Sequence, residues 1–134
     1  MAGALESEFT YHILQGGCLT GVATGASGEF WISAWGGDVW CGVPHTGFRR
    51  ATSEGVRQDF NAVGVFESEV FLAAPSGQTF LLNDGDLIFV ETNDLKEHFT
   101  VMGFQNHGEI LLAQGINGFA LYDGIRWNYI EVPW

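Results

Sequence analysis

The stretch GEILLAQGINGFALYDGIRW, residues 108–127, holds two apolar runs set between glycine turns and ends in an Asp-Gly turn before an aromatic run. A unit of this kind buries only part of its own surface, so it predicts siblings elsewhere in the chain. Glu109 opens its first apolar run. Glu69 stands forty residues earlier, in SEVFLAA, and Glu29 forty earlier again, in GEFWISA. Three blocks line up on these anchors, and a fixed period of this size is the mark of a repeat architecture.

Each block holds four short runs. The first is small and apolar: TGVATG, NAVGVF, TVMGFQ. The second is strongly apolar: FWISA, VFLAA, ILLAQ. The third follows a glycine turn: DVWCGV, QTFLLN, FALYD. The fourth is mixed: FRRAT, LIFVET, RWNYIEV. Asp84-Gly85 and Asp123-Gly124 fall between the third and fourth runs, and Asp-Gly between apolar runs is a strong hairpin signal. No segment carries a 3.6-residue apolar stripe. The nearest helical candidate is the connector NDLKEHF, residues 93–99. The unit is therefore an antiparallel four-stranded meander, and the chain is all-β.

Two architectures use such a unit, the β-propeller and the β-trefoil. The first run favours the propeller, whose innermost strands crowd an axis. It offers Gly21, Val22, Ala23 and Gly25, then Ala62, Val63 and Gly64, then Val101, Met102 and Gly103. Blades stack face to face, so their middle strands need apolar residues on both sides. FWISAW, VFLAA and ILLAQ are continuous apolar runs, as two-sided burial requires. A single-chain β-trefoil is the alternative.

Blocks two and three resemble a bacterial β-propeller repeat that ends in a Tyr-Asp-Gly-x-x-Trp turn. Tyr122, Asp123, Gly124 and Trp127 carry that motif. Block one departs with VPHTGF, and block two has Asn83 at the tyrosine's place. The resemblance covers about residues 19–132 and implies blades over about 19–52, 60–92 and 99–134. It implies a fold and no particular function. Propellers close with four to eight blades, so three leave an apolar sheet face open at each end. Twofold pairing of identical halves is the commonest route to burying such faces. A homodimeric six-bladed ring is the expectation, with EFTYHIL, residues 8–14, as a clasp strand.

Composition narrows the partners. The chain has 134 residues, 19 glycines, five basic residues and a net charge of −11. Nucleic acid and anionic membranes need a basic footprint and are not expected partners. No apolar stretch reaches the 18 residues of a membrane span. The N-terminus lacks the apolar core of a secretory signal, and Cys18 and Cys41 lie in no metal or redox spacing. A cytoplasmic location with reduced thiols is the expectation. No cofactor is expected, and neither a nucleophile elbow nor a phosphate-binding loop occurs.

Glu29, Glu69 and Glu109 recur at equivalent places and could ring a cation on the axis, since hard cations favour oxygen ligands. Their plainer role is to cap the turn before the second run. His98 and Asp59 precede inner strands and should flank a channel mouth, where they could bind or do acid–base work. Trp35, Gln114 and Asn117 fall in turns between the second and third runs. An aromatic beside amides suits a small molecule, peptide or carbohydrate, although Trp35 could instead be blade packing. The sequence reads as a non-catalytic binding module. The alternatives are a hydrolase or lyase with its site on the axis, and a carbohydrate-binding lectin on either fold.

Overall fold

In the computed structural model the described residues are 18–90, 100–107, 109–115 and 118–131. They form three four-stranded antiparallel sheets. Blade 1 is β1 (Leu19–Thr24), β2 (Phe30–Ala34), β3 (Val39–Val43) and β4 (Gly47–Arg50). Blade 2 is β5 (Ala62–Phe66), β6 (Glu69–Ala73), β7 (Thr79–Asn83) and β8 (Asp86–Phe89). Blade 3 is β9 (Val101–His107), β10 (Ile110–Gly115), β11 (Gly118–Tyr122) and β12 (Trp127–Glu131). In each blade the strands lie in sequence order. The β-trefoil alternative is not met, because no strand of one sheet pairs with a strand of another among the described residues. The expected clasp strand and the connector 93–99 lie outside those residues.

The blades stack face to face with the small-residue strands innermost. Blade 2 is the filling of the sandwich, and every residue of β5 is buried. One of its faces, with Val63, Val65, Val70, Leu72 and Phe80, packs against blade 1 around Val39 and Phe60. The other, with Ala62, Phe66, Phe71 and Ala73, packs against Leu111, Ala113, Ala120 and Trp127 of blade 3. This two-sided burial is what the unbroken apolar runs of β6 require.

Backbone approach explains the small inner residues. A Cβ on Gly21 would lie 3.4 Å from the Ala62 Cα and 3.0 Å from the Ser33 hydroxyl. A Cβ on Gly64 would lie 2.6 Å from the Phe104 Cβ, so the two inner strands meet there only because Gly64 has no side chain.

Pairing registers correct the repeat alignment. β5 and β6 close at Phe66–Glu69, and β9 and β10 close at His107–Ile110. Both leave a two-residue turn, so Glu69 corresponds to Ile110 and the forty-residue period slips by one in blade 3. Glu109 lies in the turn itself. The two Asp-Gly turns also differ. Asp84 (φ 50°) and Gly85 (φ 88°) make a two-residue hairpin closed by Asn83 and Asp86, the left-handed pair that such a turn demands. Asp123-Gly124 instead opens a four-residue loop closed by Tyr122 and Trp127. Leu82, not Asn83, therefore shares the Tyr122 position, and both residues face the preceding blade.

Candidate functional site

The turns between second and third strands of blades 1 and 2, together with the connector entering blade 2, gather at one end of the stack. Trp35–Gly37 forms a single 3₁₀ turn with Gly36 at φ 84° and Gly37 at φ 90°. The Asp59 carboxylate accepts a hydrogen bond from the Gly36 N–H at 2.7 Å. Phe60 N–H donates to the Ala34 carbonyl, and the Thr20 hydroxyl donates to the Phe60 carbonyl at 2.6 Å. The connector is thus pinned to blade 1 as it enters blade 2. Beside it, the Gln58 amide donates to the Gln78 side-chain oxygen at 3.1 Å, and Ser76 contacts the same oxygen at 3.1 Å.

Two of the residues singled out from sequence, Trp35 and Asp59, are brought together here. Trp35 is 50% exposed, so it is not the inter-blade packing residue that one reading made it. It precedes Gly36, whose N–H the Asp59 carboxylate holds, so an exposed ring and a fixed carboxylate share one end of the stack, where a ligand could find both stacking and hydrogen bonds. Gln114 is elsewhere. It lies within β10, paired with Gly103 and Phe119, on the outward sheet face of blade 3 rather than in a turn. His98 and Asn117 lie outside the described residues. Gln58 and Gln78 were missed by sequence reading, because a glutamine in a polar loop carries no signal until a partner across the loop is known.

The glutamates do not converge. The Glu29 carboxylate accepts from the Ser27 N–H at 3.1 Å and the Trp31 indole N–H at 3.2 Å. Hydrogen bonds from its own backbone, then from Trp31 and Ser27, hold its carboxyl below the usual 4.5. It caps its own turn. Glu69 accepts instead from the Tyr122 hydroxyl of blade 3 at 3.3 Å. Glu109 is exposed. Among the described residues no group of three or more His, Cys, Asp or Glu side chains lies close enough to hold a metal ion.

At the opposite end, a cleft of about 500 Å³ separates the outer halves of blades 1 and 2. Trp31, Cys41, Arg49 and Ala51 line one wall, and Ser68, Val70, Leu82, Asn83 and Asp84 the other. Burial, then Glu29, pushes the Cys41 thiol up, and Arg49 pulls it back down.

No protein-family profile matches the sequence, and no curated protein matches it. Solved structures do resemble it. Virginiamycin B lyase from Staphylococcus aureus superposes with a TM-score of 0.63 at 6% identity, over 85% of this chain and 41% of that one. Hsv2 from Kluyveromyces lactis gives 0.57 at 11%, over 87% and 36%. BamB from Moraxella catarrhalis gives 0.53 at 15%, over 84% and 36%. The lyase and BamB are β-propeller proteins, so the three sheets are β-propeller blades. The chain spans about two fifths of the length of these structures. Likeness at these identities shows the fold alone, and the lyase activity in one neighbour's name stays with that protein. Among the described residues no helix is long and apolar enough to cross a membrane.

Proposed function

We propose that the chain is a non-catalytic binding module, half of a β-propeller that a second copy completes, with its ligand at the mouth framed by Trp35 and Asp59. The outward face of blade 3 carries this reading. Register places Gly103, Leu112, Leu121 and Ile130 at the positions of Ala62, Phe71, Leu81 and Val90 in blade 2. Those four residues belong to the joint with blade 3. In blade 3 the same positions meet no further blade: a Cβ on Gly103 would touch nothing within 4 Å, and Ile130 is 42% exposed.

The first face of blade 1 complements it. Val22 is 64% exposed, whereas Val63, at the same place in blade 2, is 2% exposed. Trp40 on that face is buried, so it is the inner part of the face that awaits a neighbour. The two ends are the two halves of the joint that the chain already makes twice, which makes a second copy the fitting occupant.

Introducing Ile130→Glu or Val22→Glu tests this. Each changes an exposed side chain, so a stand-alone fold should tolerate it within about 0.5 kcal/mol. Ring closure predicts that either change lowers the mass in solution from that of two chains, with loss of β structure as the pair separates. Unchanged mass for both variants would contradict closure through these faces. The mouth is tested by titrating glycan and peptide panels against the wild type and Trp35→Ala, which should lose the bound member.

A further inference from the structure

The joints between blades 1 and 2 and between blades 2 and 3 are built on the same register, yet their outer halves differ. In the second joint, aromatic rings fill the wedge between diverging strands. Tyr122 stacks on Trp127 with ring centres 4.9 Å apart, and both meet Phe71 edge-on, at 5.1 and 5.7 Å. In the first joint, Leu82 and Leu87 stand at the Tyr122 and Trp127 positions. Cys41 and Arg49 stand where the second joint has Leu81 and Ile88. Smaller and polar side chains leave the cleft of about 500 Å³ open, within the range of roughly 300–1,000 Å³ typical of small-molecule sites.

Arg49 stands where blade 2 has the half-exposed Ile88 and blade 3 has Asn128. Arg49 is exposed and makes no hydrogen bond or ion pair among the described residues. Its neighbour Arg50 is committed, with Asp38 at 2.9 Å and the Ser53 and Val56 carbonyls at 3.3 Å. A second hollow of about 400 Å³, lined by Glu29, Cys41, Val43 and Thr46, also borders Arg49. Arg49 therefore supplies the cleft's uncommitted cation in a chain with net charge −11. Beside it stand an indole wall and the hydroxyl and amide of Ser68 and Asn83.

We propose that the cleft between blades 1 and 2 binds a small organic oxyanion, a carboxylate or phosphate ester with a flat apolar body. The anionic group sits on the Arg49 guanidinium, whose planar fork suits two oxygens at once, and the body lies against Trp31. Asp84 is the carboxylate facing the cleft from blade 2, and it weakens this binding. The site lies within one chain, so it stands whether or not a second copy closes the ring.

The probes are benzoate, phenyl phosphate and the neutral benzamide, titrated into the isotope-labelled full chain. Both anions should shift the Trp31 indole and Arg49 Nε–H resonances saturably, and benzamide should bind about tenfold more weakly or not at all. Arg49→Gln should weaken both anions about tenfold without changing the melting temperature, and Asp84→Asn should strengthen them. If only phenyl phosphate saturates, the oxyanion is a phosphate; if only benzoate does, it is a carboxylate. Equal binding of benzamide, wild-type affinity in Arg49→Gln, or no saturation by either anion up to about 20 mM would overturn the proposal.

Discussion

Gly64 lies directly under Phe104, so close that a Cβ added to the glycine would fall 2.6 Å from the phenylalanine Cβ. The contact joins the innermost strands of blades 2 and 3 and sets how closely the blades approach. Gly64→Ala should destabilise the fold by about 1–3 kcal/mol through overpacking, read by chemical denaturation. An unchanged midpoint would mean that the inner strands are not packed at this distance.

Gly103 takes the place of Ala62 on the outward face of blade 3. An alanine is accommodated at that place in the joint between blades 2 and 3, and a Cβ on Gly103 meets nothing within 4 Å. Gly103→Glu should instead bury a charge in the closed joint and weaken self-association measurably. Equal association in the variant and the wild type would speak against an inner-strand contact there.

The Tyr122–Glu69 hydrogen bond ties blade 3 to blade 2. Tyr122→Phe and Glu69→Gln, combined in a double-mutant cycle, should show a coupling of about 0.5–1.5 kcal/mol. Burial, then the Glu69 charge, raises the Tyr122 phenol above its usual 10. The fold therefore holds this proton more tightly than the unfolded chain does. Its contribution is complete below pH 10 and is lost as the pH rises through the folded value. Tyr122→Phe should flatten that alkaline loss, and an identical alkaline profile in the variant would contradict the assignment.

Glu29 gives the opposite sign. Its carboxyl is held below 4.5 by hydrogen bonds to the charged form. The stability it adds is present above pH 4.5 and fades as the pH falls through the lower folded value. Glu29→Gln should show a shallower loss of stability in that acid window than the wild type. An equal slope would mean that the cap carries no charge-dependent stability.

Much of the architecture was legible in the sequence, because its signals are local. The continuous runs of β6 announced two-sided burial, the small residues of β1 and β5 announced close strand approach, and Asp84-Gly85 announced a two-residue hairpin. The one-residue slip of blade 3 was hidden, since a shared glutamate is weaker evidence of register than the pairing of His107 with Ile110. Trp35 and Asp59 were both marked, but their meeting through the Gly36 N–H depends on a connector folding back across 23 residues. The cleft at Arg49 was illegible for the same reason: it arises from a mismatch between two blades, and neither blade shows it alone.

The account centres on ring closure by a second copy, and sedimentation of the intact chain from micromolar to nanomolar concentration tests it most directly. A particle of twice 14.7 kDa across that range is the predicted result, with loss of β structure where it dissociates. A folded, stable 14.7 kDa species at micromolar concentration would contradict it.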